Sequence, residues 1–193
     1  DIDVVLECTG RFTTKESASA HLQAGAKKVI ISAPGKQVDA TIVYGLNQDE
    51  LRSEHTIISS ASCTTNCVIP ILKLIDDHFG IAHGVTTTIH SAMNDQPVID
   101  SYHQTDLRLT RSALHSIIPV DTGLNRGIDR LLPHLAQRFE CLHLRVPTIN
   151  VSVMDLSLSL KQPTNRDQIN AIFKLAAHGE LNGLLGYTDE PHA

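Results

Sequence analysis

The order of apolar segments predicts an α/β fold: a doubly wound parallel sheet followed by a region with a long alternating strand. Three observations carry this expectation. Residues 3–8 and 28–32 are short β-branched runs separated by a segment opening on Thr13-Thr14-Lys15-Glu16, in which Thr13 and Glu16 have the spacing of a capping box. Continuous apolar strands joined by a helix form parallel sheets covered on both faces. From Cys63 the positions Cys67, Val68, Ile71, Leu72, Ile75 and Phe79 follow helical spacing to a stop at Gly80. Finally, Val151 to Leu160 alternates between polar and apolar residues apart from the step Val153-Met154, which gives a strand with one wet and one buried face.

The remaining elements follow in order. Thr41-Ile42-Val43-Tyr44 and Thr56-Ile57-Ile58-Ser59 read as two more strands, turned by Ala33-Pro34-Gly35 and Gly45-Leu46-Asn47. Pro70 removes one donor from the helix that Cys63 opens, so a slight kink is expected. Val85-Thr86-Thr87-Thr88-Ile89 reads as a strand with His90 directly after it. A polar loop and a helix near residues 123–138 come next, and an amphipathic helix from Asn165 to His178 closes at Gly179. No internal repeat interrupts this order.

Composition narrows the function classes. The 193 residues are 41% hydrophobic and 19% charged, enough apolar material for one or two cores. A net charge of −5 with scattered basic residues argues against nucleic acid and against an anionic membrane surface. No apolar stretch reaches the roughly 20 residues of a membrane span, and the start at Asp1-Ile2-Asp3 has no leader-like pattern, so cytoplasm is the expected location. The four cysteines, 8, 63, 67 and 141, form neither a disulfide framework nor a zinc motif, and Cys8, Cys67 and Cys141 are expected in the core. The i, i+4 placement of Cys67 also allows a redox couple with Cys63. The eleven histidines have irregular spacing without a carboxylate cluster, which favours surface positions and no metal. A start without Met on a strand-like run, and an abrupt stop near Glu190-Pro191-His192-Ala193, suggest an internal piece of a longer chain.

The chemistry centres on Ser60-Ala61-Ser62-Cys63-Thr64-Thr65-Asn66-Cys67. A thiol at a helix start meets unpaired N–H groups and the positive end of the macrodipole, which favour the thiolate and hence a nucleophile. His90 follows a strand end, where α/β layers expose side chains to a cleft, and a Cys with a His is the minimum for thiolate catalysis. The coincidental reading is a buried Cys and an unrelated His. Ser62 and Thr64 beside the nucleophile, and Thr122-Gly123 at a second helix start, can receive a phosphate. Arg145, inside the apolar run Leu144-Arg145-Val146-Pro147-Thr148, needs an anion if buried, and either a ligand or an internal carboxylate would serve. Arg108 and Arg111 form a further basic pair, with a solvated face as the bland reading.

S-A-S-C-T-T-N-C followed by T-T-I-H and R-V-P-T resembles the phosphorylating glyceraldehyde-3-phosphate dehydrogenases and their erythrose-4-phosphate relatives. The resemblance implies that residues 1–62 end a Rossmann-type nucleotide-binding domain, and that 63–193 begin an α+β catalytic domain with a mostly antiparallel sheet. It implies catalysis by Cys63 and His90, anion binding by Arg145 with Ser62, Thr64, Thr122, Gly123 and Arg108, and an NAD cleft lined by Thr9, Gly10, Ser32 and Ala33. The substrate would be a sugar-phosphate aldehyde and the assembly a homotetramer. The G-x-G-x-x-G turn and the ribose-reading acid are not in the sequence, so NAD rests on the resemblance alone. The loop carrying Arg108 and Arg111 departs from the pattern, with Leu109 between them and an apparent insertion at Gln104-Thr105.

Substrate choice turns on the segment after His90. Glycolytic members commonly carry a threonine three positions on, whereas this chain has Met93, a poor phosphate ligand. That position, S-A-M-x-D-Q and Ser116–Thr122 resemble the erythrose-4-phosphate branch, which releases 4-phosphoerythronate by hydrolysis toward pyridoxal phosphate. Gly123, E-C-T-G-R-F and S-A-P-G-K are closer to the glycolytic pattern. A cysteine hydrolase without nicotinamide and a catalytically silent piece are the readings from other classes.

Overall fold

The computed structural model describes residues 2–103 and 106–191. In chain order its elements are β1 (Ile2–Glu7), α1 (Lys15–Gln23), β2 (Ala26–Ile31), β3 (Ala40–Thr41), β4 (Ile57–Ser59), α2 (Cys63–Phe79), β5 (Ile81–His90), β6 (Ile118–Val120), α3 (Leu124–Leu131), β7 (Phe139–Arg145), β8 (Ser152–Leu160) and α4 (Arg166–His178). They divide into two compact units, one from the described residues of Asp1–Asp77 with Thr164–Ala193, the other His78–Pro163.

The first unit holds a four-stranded sheet in the order β1-β2-β4-β3, parallel at every pairing. Ala18 of α1 packs with Val29, Ile31 and Ile57 of the sheet, all 1% exposed or less. The capping box is Thr14 with Ser17, not Thr13 with Glu16. The Thr13 carbonyl accepts the Lys36 amide at 2.9 Å, which leaves the cap to its neighbour. The third strand is also shorter than Thr41–Tyr44, because the Asn47 side chain takes the Val43 amide at 2.9 Å and turns the chain. Double coverage of the sheet does not extend to β1, where Ile2, Val4 and Leu6 are exposed. Helix α2 runs through Pro70 without a break in its span. In α4, capped by Asn165 with Gln168, Ile172, Phe173 and Ala176 pack with Leu74 and Leu181.

The second unit holds a sheet in the order β6-β7-β5-β8. Its β5–β7 pairing is parallel, and β5–β8 and β6–β7 are antiparallel. Strand β8 alternates from Met154, with Met154, Leu156, Leu158 and Leu160 half-buried and the residues between them exposed; Val153, next to Met154 and so in the opposite phase, is exposed, and the expected alternation does not reach back to Val151. The expected helix over 123–138 ends at Leu131, since Pro133 cannot continue it and opens a short 3-10 turn, Pro133–Leu135. Gly84 sits where an added Cβ would lie 2.6 Å from both Leu158 and Phe139, so these strands approach more closely than any side chain there would allow.

Candidate active site

In the first unit the candidate residues gather at one edge. Because β1, β2 and β4 are parallel, Thr9-Gly10, Ser32-Ala33 and the turn into Cys63 all leave the sheet at its carboxyl end, where open α/β sheets place ligands. Ser59, fully buried at the end of β4, ties two of these turns together. Its hydroxyl donates to the Ala33 carbonyl at 2.7 Å and accepts from the Gly35 amide at 2.9 Å and the Ala61 amide at 3.1 Å. Ala61 is held at φ +61°, a left-handed conformation that alanine adopts only at a cost of about 1–2 kcal/mol. That reversal swings the chain from strand into helix with Cys63 as the first helical residue.

The helix start is closed by its own side chains. The Ser62 hydroxyl accepts from the Thr65 amide at 3.1 Å and lies 2.7 Å from the Thr65 hydroxyl and 3.1 Å from that of Thr64. Thr64 is therefore buried in the cap cluster rather than presented outward. Cys63 is exposed. Cys67 and Cys8, expected in the core, are exposed as well, because Cys67 falls off the buried side of α2 and Cys8 lies beyond the last β1 pairing; Cys141 is half-buried. Partial burial of its thiol, and then Cys63, push Cys67 above the ordinary thiol value and so disfavour its thiolate.

Sequence reasoning passed over Glu7, the acid that sets the first turn. Its carboxylate, 3% exposed, takes the Thr9 amide at 2.7 Å and the Thr9 hydroxyl, and His21 approaches at 2.7 Å. The Thr9 hydroxyl above all, aided by the Thr9 amide and His21 against the effect of burial, lowers the Glu7 pKa. Gly10 follows at φ +72° with open space where a Cβ would stand. A charged residue just before T-G at a strand end was the available signal.

In the second unit His90 ends β5, opposite Arg145 of β7 and Ser152 of β8. Its Nδ1 is 2.7 Å from the Ser91 carbonyl. A carbonyl can only accept, so Nδ1 carries the hydrogen and Nε2 is the nitrogen able to take a proton. Two loops meet beyond it: the Val146 amide donates to the His90 carbonyl at 2.9 Å, and the Ala92 amide to the Thr148 carbonyl at 2.8 Å. Met93 lies in the tight turn that follows, where its amide and carbonyl are both bonded to Gln96, each at 3.0 Å.

Arg145 is 9% exposed and pairs with Asp95, an internal carboxylate; its Nε has no partner among the described residues. An arginine in an apolar strand requires an acid nearby, and only the fold shows which. Arg108 bonds Asp106 through Nε at 3.1 Å and Nη2 at 2.9 Å, and Asp121 at 3.2 Å. Asp106 first and Asp121 next raise its proton affinity still further. Arg108, Asp121 and Arg145 line one open hollow. The neighbouring Thr122 accepts the Leu124 amide at 3.2 Å, and Gly123 caps α3. Arg111 is drawn elsewhere, to Asp100 at 3.2 Å, and Gln104-Thr105 lie outside the described residues.

Not every histidine is at the surface: His143 is 9% exposed and stacks on His90, with centroids 5.2 Å apart and planes at 24°. Burial foremost, then His90 and Arg145, pull its pKa down to about 4. Among the described residues no group of three His, Cys, Asp or Glu side chains is placed to hold a metal ion. No helix among them is long and apolar enough to cross a membrane.

A mixed sheet with polar residues at its strand ends, and a hollow lined by two arginines and two aspartates, fits an α+β catalytic domain. A family model described as glyceraldehyde 3-phosphate dehydrogenase, C-terminal domain, matches residues 62–193. The chain belongs to the glyceraldehyde 3-phosphate dehydrogenase family, whose members are dehydrogenases.

Proposed function

We propose that this protein oxidises a sugar-phosphate aldehyde with NAD, most of all D-erythrose 4-phosphate to 4-phosphoerythronate. The Cys63 thiolate adds to the aldehyde carbon, and the oxyanion formed takes a proton from solvent to give a thiohemiacetal. His90, through Nε2, takes the proton from the thiohemiacetal hydroxyl as hydride leaves carbon, and an acyl thioester remains on Cys63. His90 gives up that proton to solvent and then deprotonates a water, which attacks the thioester carbonyl; the adduct collapses, the Cys63 thiolate leaves and the acid is released. Bound NAD supplies the hydride acceptor. The residues in hand suit it: Thr9, Gly10, Ser32 and Ala33 would hold it, on turns at the carboxyl edge of a parallel sheet where Gly10 leaves the approach open. On this reading residues 1–62 end a Rossmann-type domain and 63–193 form the catalytic domain.

We assign the substrate anion to Arg145 and Arg108, each shared with its own carboxylate partner, with Thr122 and Gly123 at the start of α3; Ser62 beside Cys63 would assist, and Thr64 only by leaving its cap cluster. One observation favours erythrose 4-phosphate: Met93, exposed in the Gln96-closed turn beyond His90, puts a thioether where glycolytic members commonly carry a threonine that helps bind the substrate's terminal phosphate. Hydrolysis then outruns phosphorolysis. The glycolytic alternative, phosphorylating oxidation of glyceraldehyde 3-phosphate, draws on Gly123 and on the E-C-T-G-R-F string. We place the enzyme in the cytoplasm, feeding pyridoxal phosphate synthesis, as a homotetramer. Val85, Ile89, Leu142 and Val153, exposed on the outer face of the second sheet, are the surface offered for pairing copies.

The test is steady-state NADH formation with both aldehydes, with and without inorganic phosphate, beside a Cys63→Ala control. Phosphate-independent turnover preferring erythrose 4-phosphate, abolished in Cys63→Ala, is expected. Faster turnover of glyceraldehyde 3-phosphate with strict dependence on phosphate selects the glycolytic reading.

A further inference from the structure

His143 has no role in the mechanism above, yet it is the buried ring nearest the proposed base. It alternates with Arg145 on β7 as Thr88 alternates with His90 on β5, and the parallel register pairs Thr88 with His143 and His90 with Arg145. All four side chains therefore share one face of the sheet. On that face Thr86 Oγ1, Thr88 Oγ1, His143 Nε2 and Arg145 Nε are buried without a partner among the described residues. A buried imidazole nitrogen left unpaired costs about 1–3 kcal/mol. An aliphatic side chain of similar volume would fill the space without that penalty, so stability does not account for His143.

The ring contact does account for it. We propose that His143 is a positioning residue: its flat ring, held by β7 and stacked on the His90 imidazole, fixes the orientation in which His90 Nε2 receives the substrate proton. The Ser91 carbonyl at Nδ1 and the His143 face against the ring plane both act on that orientation. Burial, His90 and Arg145 keep His143 uncharged at neutral pH, so the stacked ring does not repel the imidazolium that His90 becomes in each cycle. Arg145, held by Asp95, completes the wall. The inference rests on the assignment of His90 as base, and its test separates the two.

The full chain is compared with His143→Ala, His143→Gln and His143→Phe. The first readout is the His90 Cε1–Hε1 NMR resonance, which requires no turnover. Loss of the stacked ring in His143→Ala and His143→Gln shifts that resonance, and His143→Phe retains a ring-current displacement. The second is kcat against KM for the aldehyde: kcat falls about tenfold in the ringless variants with KM within about twofold, and the phenyl ring restores most of it. An unchanged resonance in the ringless variants overturns the proposal, as does an unchanged kcat, or a loss in which His143→Phe is as impaired as His143→Ala. If the resonance shifts as expected but the wild type and His90→Asn turn over alike, the assignment of His90 as base fails, and the positioning role with it. His143→Gln preserves the comparison if the alanine variant does not fold.

Discussion

Lowering the pH from 7 to 4.5 should destabilise this protein through His143 before any of its paired carboxylates contributes. Burial, His90 and Arg145 move the His143 pKa from 6.5 to about 4 in the folded chain. As the pH falls through 6.5 the unfolded chain takes up the proton and the folded chain does not. The stability contribution is thus complete above 6.5 and is lost progressively down to about 4. At about 1.4 kcal/mol for each tenfold change in proton affinity, the full loss is about 3 kcal/mol, a sizeable part of the 5–15 kcal/mol typical of a domain. Asp39 acts lower on the scale. Against the upward push of its burial, Lys15 at 2.5 Å and the amides of Ile57 and Thr56 hold it well below 3.8, so its contribution is lost only as the pH falls below that value. The assay is urea denaturation at half-unit pH intervals for the wild type and His143→Leu, which keeps the volume and removes the titration. The wild-type midpoint should fall between pH 6.5 and 4.5 and that of His143→Leu should stay nearly level. Parallel curves would refute the reasoning.

Two further outcomes follow from single side chains. Ser59→Ala removes the hydroxyl that joins the Ala33, Gly35 and Ala61 backbone groups; it should cost about 2–3 kcal/mol of stability by thermal denaturation and lower Cys63 alkylation rates in the folded protein, and a variant with wild-type values on both would contradict the assigned role. Asp121→Asn removes one of the two acids on Arg108; the KM for the anionic aldehyde should drop a few-fold with kcat unaltered, whereas a higher KM would show that Asp121 assists binding.

Much of the site is visible in local sequence, and the reason is range. The start of α2 at Cys63, the strand ending at His90 and the alternation of β8 from Met154 depend on residues a few positions apart, which propensity and periodicity describe. The misplaced features have partners elsewhere in the chain. The Thr13 carbonyl was claimed by Lys36, and Cys8 and Cys67 proved exposed because apolar neighbours in sequence do not set which side of an element is covered.

By itself, then, the sequence determined the family, the helix-start thiol and the strand-end imidazole, since these are short motifs with short-range causes. Only the tertiary structure decided that Arg145 closes on Asp95 across 50 residues, that Glu7 builds the Thr9-Gly10 turn with His21, and that His143 lies against His90. Strand register and burial set those pairings, and neither is a property of any single segment.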